Sequence, residues 1–478
     1  MNDSHLGLRG PRGPILLAIM VASGLAALDS TILATAVPSI VKDLGDFGQF
    51  PWLFSIYLLA QAVSVPIYSK LADVIGRKPI LLFGIGLFLV ASIVCGFAWS
   101  MPVLILSRAL QGLGAGAILP MTITVAGDIY TVEERSKIQG YLASVWGISS
   151  VLGPTLGGVF SQFVSWRWVF FINLPLGLVA AFLLVRNFHE KVEHRTHKID
   201  FWGAGLLTVS LSLLVLAILE GGQAWAWDSA VSLGALGGGT LLFLVFVFVE
   251  RKAAEPVLPL WVFSRRLLVT TSLVAFGSGA ILLGLTSYIP TYLVRTLGLP
   301  PLVAGASIAA IMVGWPIAAT LSGRFYLKIG FRYTALLGLG LVTLGVAGLV
   351  VLNTVPSLVV MTLCCLITGL GFGLSSTPVM IAAQASVPWT ERGVVTGNNQ
   401  FARAVGSAVG IAVFGAVANA VIGASSGGAD NPTNIETATG RVFQVVLVVV
   451  LATLAAAWAM PRDYPGVKAP GIEGAPGE

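Results

Sequence analysis

Two ionisable residues stand alone in long apolar runs and are the first candidates for chemistry. Asp29 interrupts the run 14–39, and Arg108 interrupts the run 102–128. A charge at the centre of a bilayer costs about 2.5–3.5 kcal/mol on insertion scales, so embedded acids and bases are functional candidates by default. Shielding from water disfavours the charged form of a carboxyl group, and a nearby guanidinium favours it, so their balance decides when such an acid exchanges a proton. At 1.5 Å per residue, Asp29 lies roughly 22 Å from one surface and Arg108 roughly 9 Å from the other, similar depths in a layer about 30 Å thick. The two are expected to meet inside the N-terminal half, with Asp29 as proton carrier facing an aqueous crevice. A static buried ion pair is the competing reading.

A second cluster reads Ser69-Lys70-Leu71-Ala72-Asp73-Val74-Ile75-Gly76-Arg77-Lys78-Pro79. Gly76 permits a tight reversal and Pro79 suits the first turn of a helix. Asp128, at the end of the run that holds Arg108, is placed to pair with Arg77 or Lys78, which is the layout of a conformational latch. The stretch Gly147 to Gly158 contains Gly147, Gly153, Pro154, Gly157 and Gly158. Small residues let helices approach closely and proline removes a backbone donor, so this stretch suits a rocking interface, with plain helix packing as the alternative. Asn398, Gln400 and Arg403 are polar residues inside another apolar run, where such groups face a bundle interior or a wet cavity. Arg403 is read as meeting a carboxylate, a substrate anion or the backbone. Polarity and depth add Tyr57, Gln61, Gln111 and Trp315 to the expected cavity walls.

The elements that carry these residues follow from composition. Of 478 residues, 56% are hydrophobic and 10% charged, and the mean hydropathy is +0.91, which excludes a soluble globule. Fourteen runs of about 20 residues are long enough to cross a bilayer as helices. Among them the seventh and eighth cover 200–219 and 229–250, and the tenth and eleventh cover 301–325 and 332–352. With alternating sides, 21 of the 27 Lys and Arg residues fall on one face and four on the other, while Arg108 and Arg403 lie within spans. The positive-inside rule then places both termini in the cytoplasm.

The chain also repeats itself. Gly112-Leu113-Gly114-Ala115-Gly116 matches Gly369-Leu370-Gly371-Phe372-Gly373 at an offset of 257 residues, and the same offset maps Glu134-Arg135 and Gly140 onto Glu391-Arg392 and Gly397. The organisation is therefore a six-helix bundle over 1–190, two additional helices and a linker over 191–260, and a second six-helix bundle with a tail over 261–478. Parallel repeats of this kind build one class of secondary transporter, with the substrate site between the halves. Asp200 and Glu220, at the two ends of the seventh run, are read as interfacial charges. Cys95, Cys364 and Cys365 form no disulfide or zinc pattern, and His5, His189, His194 and His197 read as tail and linker, so no metal is expected. No phosphate-cradling loop, HExxH or GxSxG is present, which argues against an ATP motor or an enzyme.

Taken together, these segments resemble the major facilitator superfamily, specifically its fourteen-span drug:proton antiporter branch, over nearly the whole chain. Leu28-Asp29-Ser30-Thr31-Ile32 is similar to the first-span signature of that branch, Ser69 to Lys78 to the loop motif of the inward/outward switch, and Arg108 to Gly112 to the fourth-span proton-transfer motif. Gly147 to Gly158 is similar to the antiporter motif, and Trp166 to Pro175 to the branch's sixth-span segment. Ser69 replaces the usual leading glycine, which implies some weakening of close packing there. Gly323 to Gly330 is a degenerate copy of the loop motif, and the tenth span lacks the acid that some members use for cations.

The resemblance implies an all-α membrane protein of two six-helix bundles plus two helices. Its implied activity is the export of amphipathic small molecules in exchange for protons, by alternating access. No cofactor and no nucleic-acid partner are implied. Protons, membrane lipids and the substrate are the expected partners of a monomer in the cell membrane. A dedicated lipid, siderophore or metabolite exporter and a non-cycling membrane sensor are the alternatives.

Overall fold

A computed structural model describes residues 7, 10–45, 52–190, 201–221, 225–253, 260–299, 301–352, 357–423 and 432–462. His5, His194, His197, Asp200 and the tail from 463 onward lie outside the described residues. The described chain is helical, with a single bridge between Gly221 and Trp225 as its β-structure. The helices are α1 (Gly13–Leu44), α2 (Trp52–Ile75), α3 (Arg77–Gly96), α4 (Met101–Ile129), α5 (Val132–Val159), α6 (Trp168–Phe171), α7 (Asn173–Asn187), α8 (Phe201–Glu220), α9 (Ala230–Glu250), α10 (Trp261–Ser264), α11 (Arg266–Leu297), α12 (Pro301–Leu352), α13 (Leu358–Ala385), α14 (Arg392–Gly423) and α15 (Pro432–Trp458).

Among the described residues, twelve helical stretches are long and apolar enough to cross a membrane. One of them, Ser307–Val351, covers most of both the tenth and eleventh expected runs, divided at Gly330, whose φ of 84° breaks the helix. The seventh expected run is the shorter apolar stretch Trp202–Ile218 inside α8. The sixth, Trp168–Asn187, joins α6 to α7. Gly76 makes the corresponding reversal between α2 and α3, with φ 103°, a conformation that only glycine adopts without strain.

The repeat seen in the sequence is a packing device. A Cβ on Gly112 would lie 2.4 Å from the Tyr57 carbonyl oxygen, one on Gly114 2.8 Å from that of Gly84, and one on Gly116 2.9 Å from that of Gln61. In the second half the matching glycines meet matching partners: Gly369 meets Ile311, Gly371 meets Gly338 and Gly373 meets Trp315, at 2.3, 2.6 and 2.4 Å. Each partner stands 254 residues after its counterpart, so two helix triplets, α2–α3–α4 and the two arms of α12 with α13, share one packing plan. Without a hydrophobic driving force between helices in lipid, such backbone approach is what holds them.

The halves touch along two seams. At one, α5 runs against the first arm of α12; at the other, α2 runs against α14. The pair α8 and α9 packs against itself, and α8 touches both α2 and α14 through a cluster that includes Leu59, Val63, Leu207, Leu211 and Ala408.

Candidate functional site

Asp29 and Arg108 do meet. α1 and α4 bring the Arg108 guanidinium to 2.6 Å from Asp29 Oδ2, with each residue 1% exposed. Gln111 Nε2 donates to Asp29 Oδ1 at 3.0 Å and Asn173 Nδ2 donates to the same oxygen at 3.1 Å. The guanidinium also donates to Gln111 Oε1 at 2.7 Å and to the Leu53 carbonyl at 3.1 Å, and it stacks 4.2 Å from the centre of the Tyr57 ring. Gln111 and Asn173 share Ser92 Oγ as a further partner, at 2.8 and 3.3 Å. Buried ion pairs persist where extra hydrogen bonds satisfy both partners, and this one is satisfied from five helices.

Sequence reasoning missed Asn173 and Ser92. Asn173 stood in a recognised segment and is the first residue of α7, but a neutral amide gives no signal of its own. The expectation that Asp29 faces a crevice is corrected. In this conformation its carboxylate is buried against Arg108, Gln111 and Asn173, because α4 and α7 turn those side chains onto it.

The second cluster is an interlock between the halves. Arg77 Nη2 donates to Asp73 Oδ1 at 2.7 Å and to the Trp389 carbonyl at 2.7 Å, its Nε lies 3.1 Å from Asp128 Oδ2, and the guanidinium sits 3.8 Å over the Trp389 ring. Asp73 in turn accepts from the backbone nitrogens of Gly393 and Val394, at 3.0 and 2.7 Å. Arg392 donates to Asp128 Oδ1 at 3.1 Å and to the Gly127 carbonyl at 3.2 Å. Gln384 donates to the Ile123 carbonyl at 3.4 Å, and the Tyr326 hydroxyl donates to the Val132 carbonyl.

Asp128 thus pairs with Arg77 rather than Lys78, whose ammonium donates to the Val185 carbonyl at 3.1 Å. Glu190 was not anticipated; it accepts from the backbone nitrogens of Arg77 and Lys78 at 3.0 Å each and caps α3. Arg392 was legible only as the repeat partner of Arg135. At the opposite end of the bundle, Arg167 donates to Asp43 at 2.7 Å and Trp166 at 3.0 Å. These hydrogen bonds hold the Asp43 carboxyl below the ordinary carboxylate range.

The glycine stretch of α5 divides its contacts. A Cβ on Gly147 would meet the Met312 carbonyl of the other half at 2.9 Å, whereas Gly153 and Gly157 face Thr31 and Thr35 of α1 at 2.0 and 2.2 Å. A Cβ on Gly158 would meet nothing within 4 Å, and Pro154 is exposed, so those two do not make close helix contacts. Ser69 is fully buried, and a Cβ on Gly397 would fall 2.1 Å from its hydroxyl. The expected loosening is absent there because the glycine stands on the partner helix.

A cavity of about 470 Å³, its open mouth included, lies between the halves. Ile123 and Gln139 line it from the first half, and Ser278, Trp315, Ser376, Asn399, Gln400 and Arg403 are among its walls in the second. Of the expected wall residues, Trp315, Gln400 and Arg403 are present. Tyr57 and Gln111 belong instead to the Asp29 cluster, Gln61 is half-buried and does not line this cavity, and Asn398 turns aside to donate to Ser272 at 2.7 Å. Depth along a helix places a residue at a level but not on a face. Among the described residues no cluster of His, Cys, Asp and Glu could hold a metal.

The sequence model of the Major Facilitator Superfamily matches residues 19–411, which span both halves of this arrangement. The chain belongs to that superfamily. It is a transporter and not an enzyme. It is 36% identical over 392 residues to "Multidrug resistance protein 3" of Bacillus subtilis (strain 168), covering 82% of this chain and 77% of the relative. It is 35% identical over 408 residues to "Multidrug transporter protein MdtP" of the same organism, covering 85% and 75%. The fold is similar to the crystal structure of the human organic anion transporter MFSD10 (TETRAN), with a TM-score of 0.67, 14% identity, and coverage of 94% of this chain and 99% of that one.

Proposed function

We propose that this superfamily member exports amphipathic small molecules in exchange for protons by alternating access. It works as a monomer in the cell membrane, with fourteen crossings, both termini in the cytoplasm and no cofactor. The observation that carries the reading is the Asp29 cluster. Asp29 is a carboxylate 1% exposed in the middle of α1, tied to Arg108 at 2.6 Å and to two amides.

The chemistry runs through charge compensation. The Asp29 carboxylate compensates the Arg108 guanidinium where both residues are buried. A proton on Asp29 would leave that cation buried and uncompensated, a situation that costs about 3–5 kcal/mol when a buried pair is broken. Protonation therefore favours a rearranged state in which the cluster opens, and the proton leaves when the pair re-forms. A ligand or proton moves such an equilibrium only by its differential affinity for the two states.

The interlock of Asp73, Arg77, Asp128 and Arg392 lies at the end of the bundle that bears most of the Lys and Arg residues, the cytoplasmic end by charge distribution. On this reading the conformation described here is closed towards the cytoplasm. The multidrug names of the two Bacillus relatives support amphipathic cargo.

The test is purified protein in proteoliposomes with an imposed pH gradient and a panel of lipophilic cations, neutral drugs, organic anions and lipids. Substrate-dependent proton flux with at least one member is the expected result. Substrate movement without any proton flux removes the coupling, and no movement of any compound makes the protein a non-cycling binder.

A further inference from the structure

We propose that the cavity between the halves is a binding site for the anionic end of an amphipathic organic molecule, with Arg403 as its counter-ion. This rests on the reading that the protein is a small-molecule exporter and names the class it accepts.

The two arginines inside the spans make the contrast. Arg108 is saturated by a carboxylate, an amide oxygen, a backbone carbonyl and a ring. Arg403, 11 residues into α14, lines the cavity, and no carboxylate lies within ion-pair distance of it among the described residues. Its Nε is buried without a hydrogen-bond partner, and its guanidinium stands 5.1 Å from the centre of the Trp315 ring. A buried guanidinium is costly without an anion, and beyond the Trp315 ring the described residues supply no counter-ion, so the place of the anion is left to a ligand.

The rest of the wall fits that ligand. No Asp or Glu lines the cavity, so a lipophilic cation would meet Arg403 with nothing to attract it. Ser376 Oγ is buried without a partner beside it, and Gln139 and Gln400 bring amide groups to the same space. For the apolar body there is an aromatic wall: Trp315 stacks on Phe372 with ring centres 5.3 Å apart, and Val274, Val379 and Met380 continue it. The figure of about 470 Å³ for this space includes its open mouth, so the enclosed part takes only a compact group. The occupant is a free organic carboxylate or sulfonate with a compact apolar body.

The experiment measures equilibrium binding, without any gradient, to purified full-length protein in phosphatidylcholine nanodiscs. Three probes share one skeleton: 2-naphthylacetate, 2-naphthylacetamide and 2-naphthylethylammonium. The anion is expected to bind about tenfold or more tightly than either of the others, the size of one charge-assisted hydrogen bond. Arg403→Gln should remove that preference and leave the amide within about twofold, while Arg403→Lys should keep part of it.

Equal or tighter binding of the cation by wild-type protein overturns the proposal, as does an anion preference that survives Arg403→Gln. Nanodiscs containing phosphatidylglycerol separate the sources of the anion. Unchanged naphthylacetate affinity supports the free organic anion, whereas its loss assigns Arg403 to lipid headgroups and overturns the proposal. Because no proton gradient enters the measurement, failure of coupling leaves this result standing. Gradient-driven efflux without anion preference defeats this inference alone.

Discussion

Replacing Asp29 by asparagine is the sharpest perturbation, because it keeps the shape of the side chain and removes its charge. The asparagine can still accept from Gln111 and Asn173, which reach Oδ1 at 3.0 and 3.1 Å, but an amide then faces the Arg108 donor that sat 2.6 Å from Oδ2. Breaking a buried pair from one side costs about 3–5 kcal/mol. The Leu53 carbonyl, Gln111 Oε1 and the Tyr57 ring retain part of the cation's environment, so the lower end, about 3 kcal/mol, is expected.

Arg108→Gln in the same background removes the orphaned charge. The double variant should therefore regain most of that loss, a coupling of about 3 kcal/mol in a double-mutant cycle of chemical unfolding in detergent. Transport separates differently. Both variants should lose gradient-driven accumulation in inverted vesicles by more than about tenfold, whereas substrate counterflow at equal pH persists in the double variant. Undiminished gradient-driven accumulation in Asp29→Asn would refute the reasoning about coupling. A double variant no more stable than Asp29→Asn would refute the reasoning about charge compensation.

Four further outcomes are expected. Asp73→Asn weakens the charge-assisted bonds to the Gly393 and Val394 nitrogens, worth about 1.5–3 kcal/mol each, and should open the Arg77 end; cysteine labelling at position 139 should rise more than tenfold, and unchanged labelling would count against the latch. Gly397→Ala should impair closure, since its Cβ would fall 2.1 Å from the Ser69 hydroxyl and 2.3 Å from its Cβ, and Ser69→Gly should restore transport in that background. Gly153→Val should lower thermal stability and stall transport through its clash with Thr31, with vesicle uptake and melting as the readouts. Asp43→Asn should cost no more than about 1 kcal/mol at neutral pH, as expected for an exposed pair. Because the folded carboxyl is held low, that contribution is complete above the unfolded value near 3.9 and disappears as pH falls through the folded one, which a pH series of melting curves will follow.

Charge and glycine were the legible signals in this sequence. Asp29 and Arg108 could be paired because ionisable groups in apolar runs are conspicuous and the helix rise fixes their level. The Gly112 and Gly369 runs announced the duplication because close backbone contact tolerates no other residue at those positions. Asn173, Ser92 and Trp389 escaped because neutral polar groups and aromatics are common in such helices, and their roles depend on which neighbour arrives beside them. Tyr57 and Gln111 were placed at the right level on the wrong side: rise along a helix is a local property, while the direction a side chain takes is set by the tertiary approach of α1, α3 and α7. Likewise, Ser69 looked like a flaw in its motif until Gly397 was seen across the seam.

The position of α8 makes the molecule lopsided. With α8 leaning on both α2 and α14, the seam between those two helices is flanked by an added helix. A greasy cargo dissolved in the bilayer would then meet the added pair as a wall along that seam.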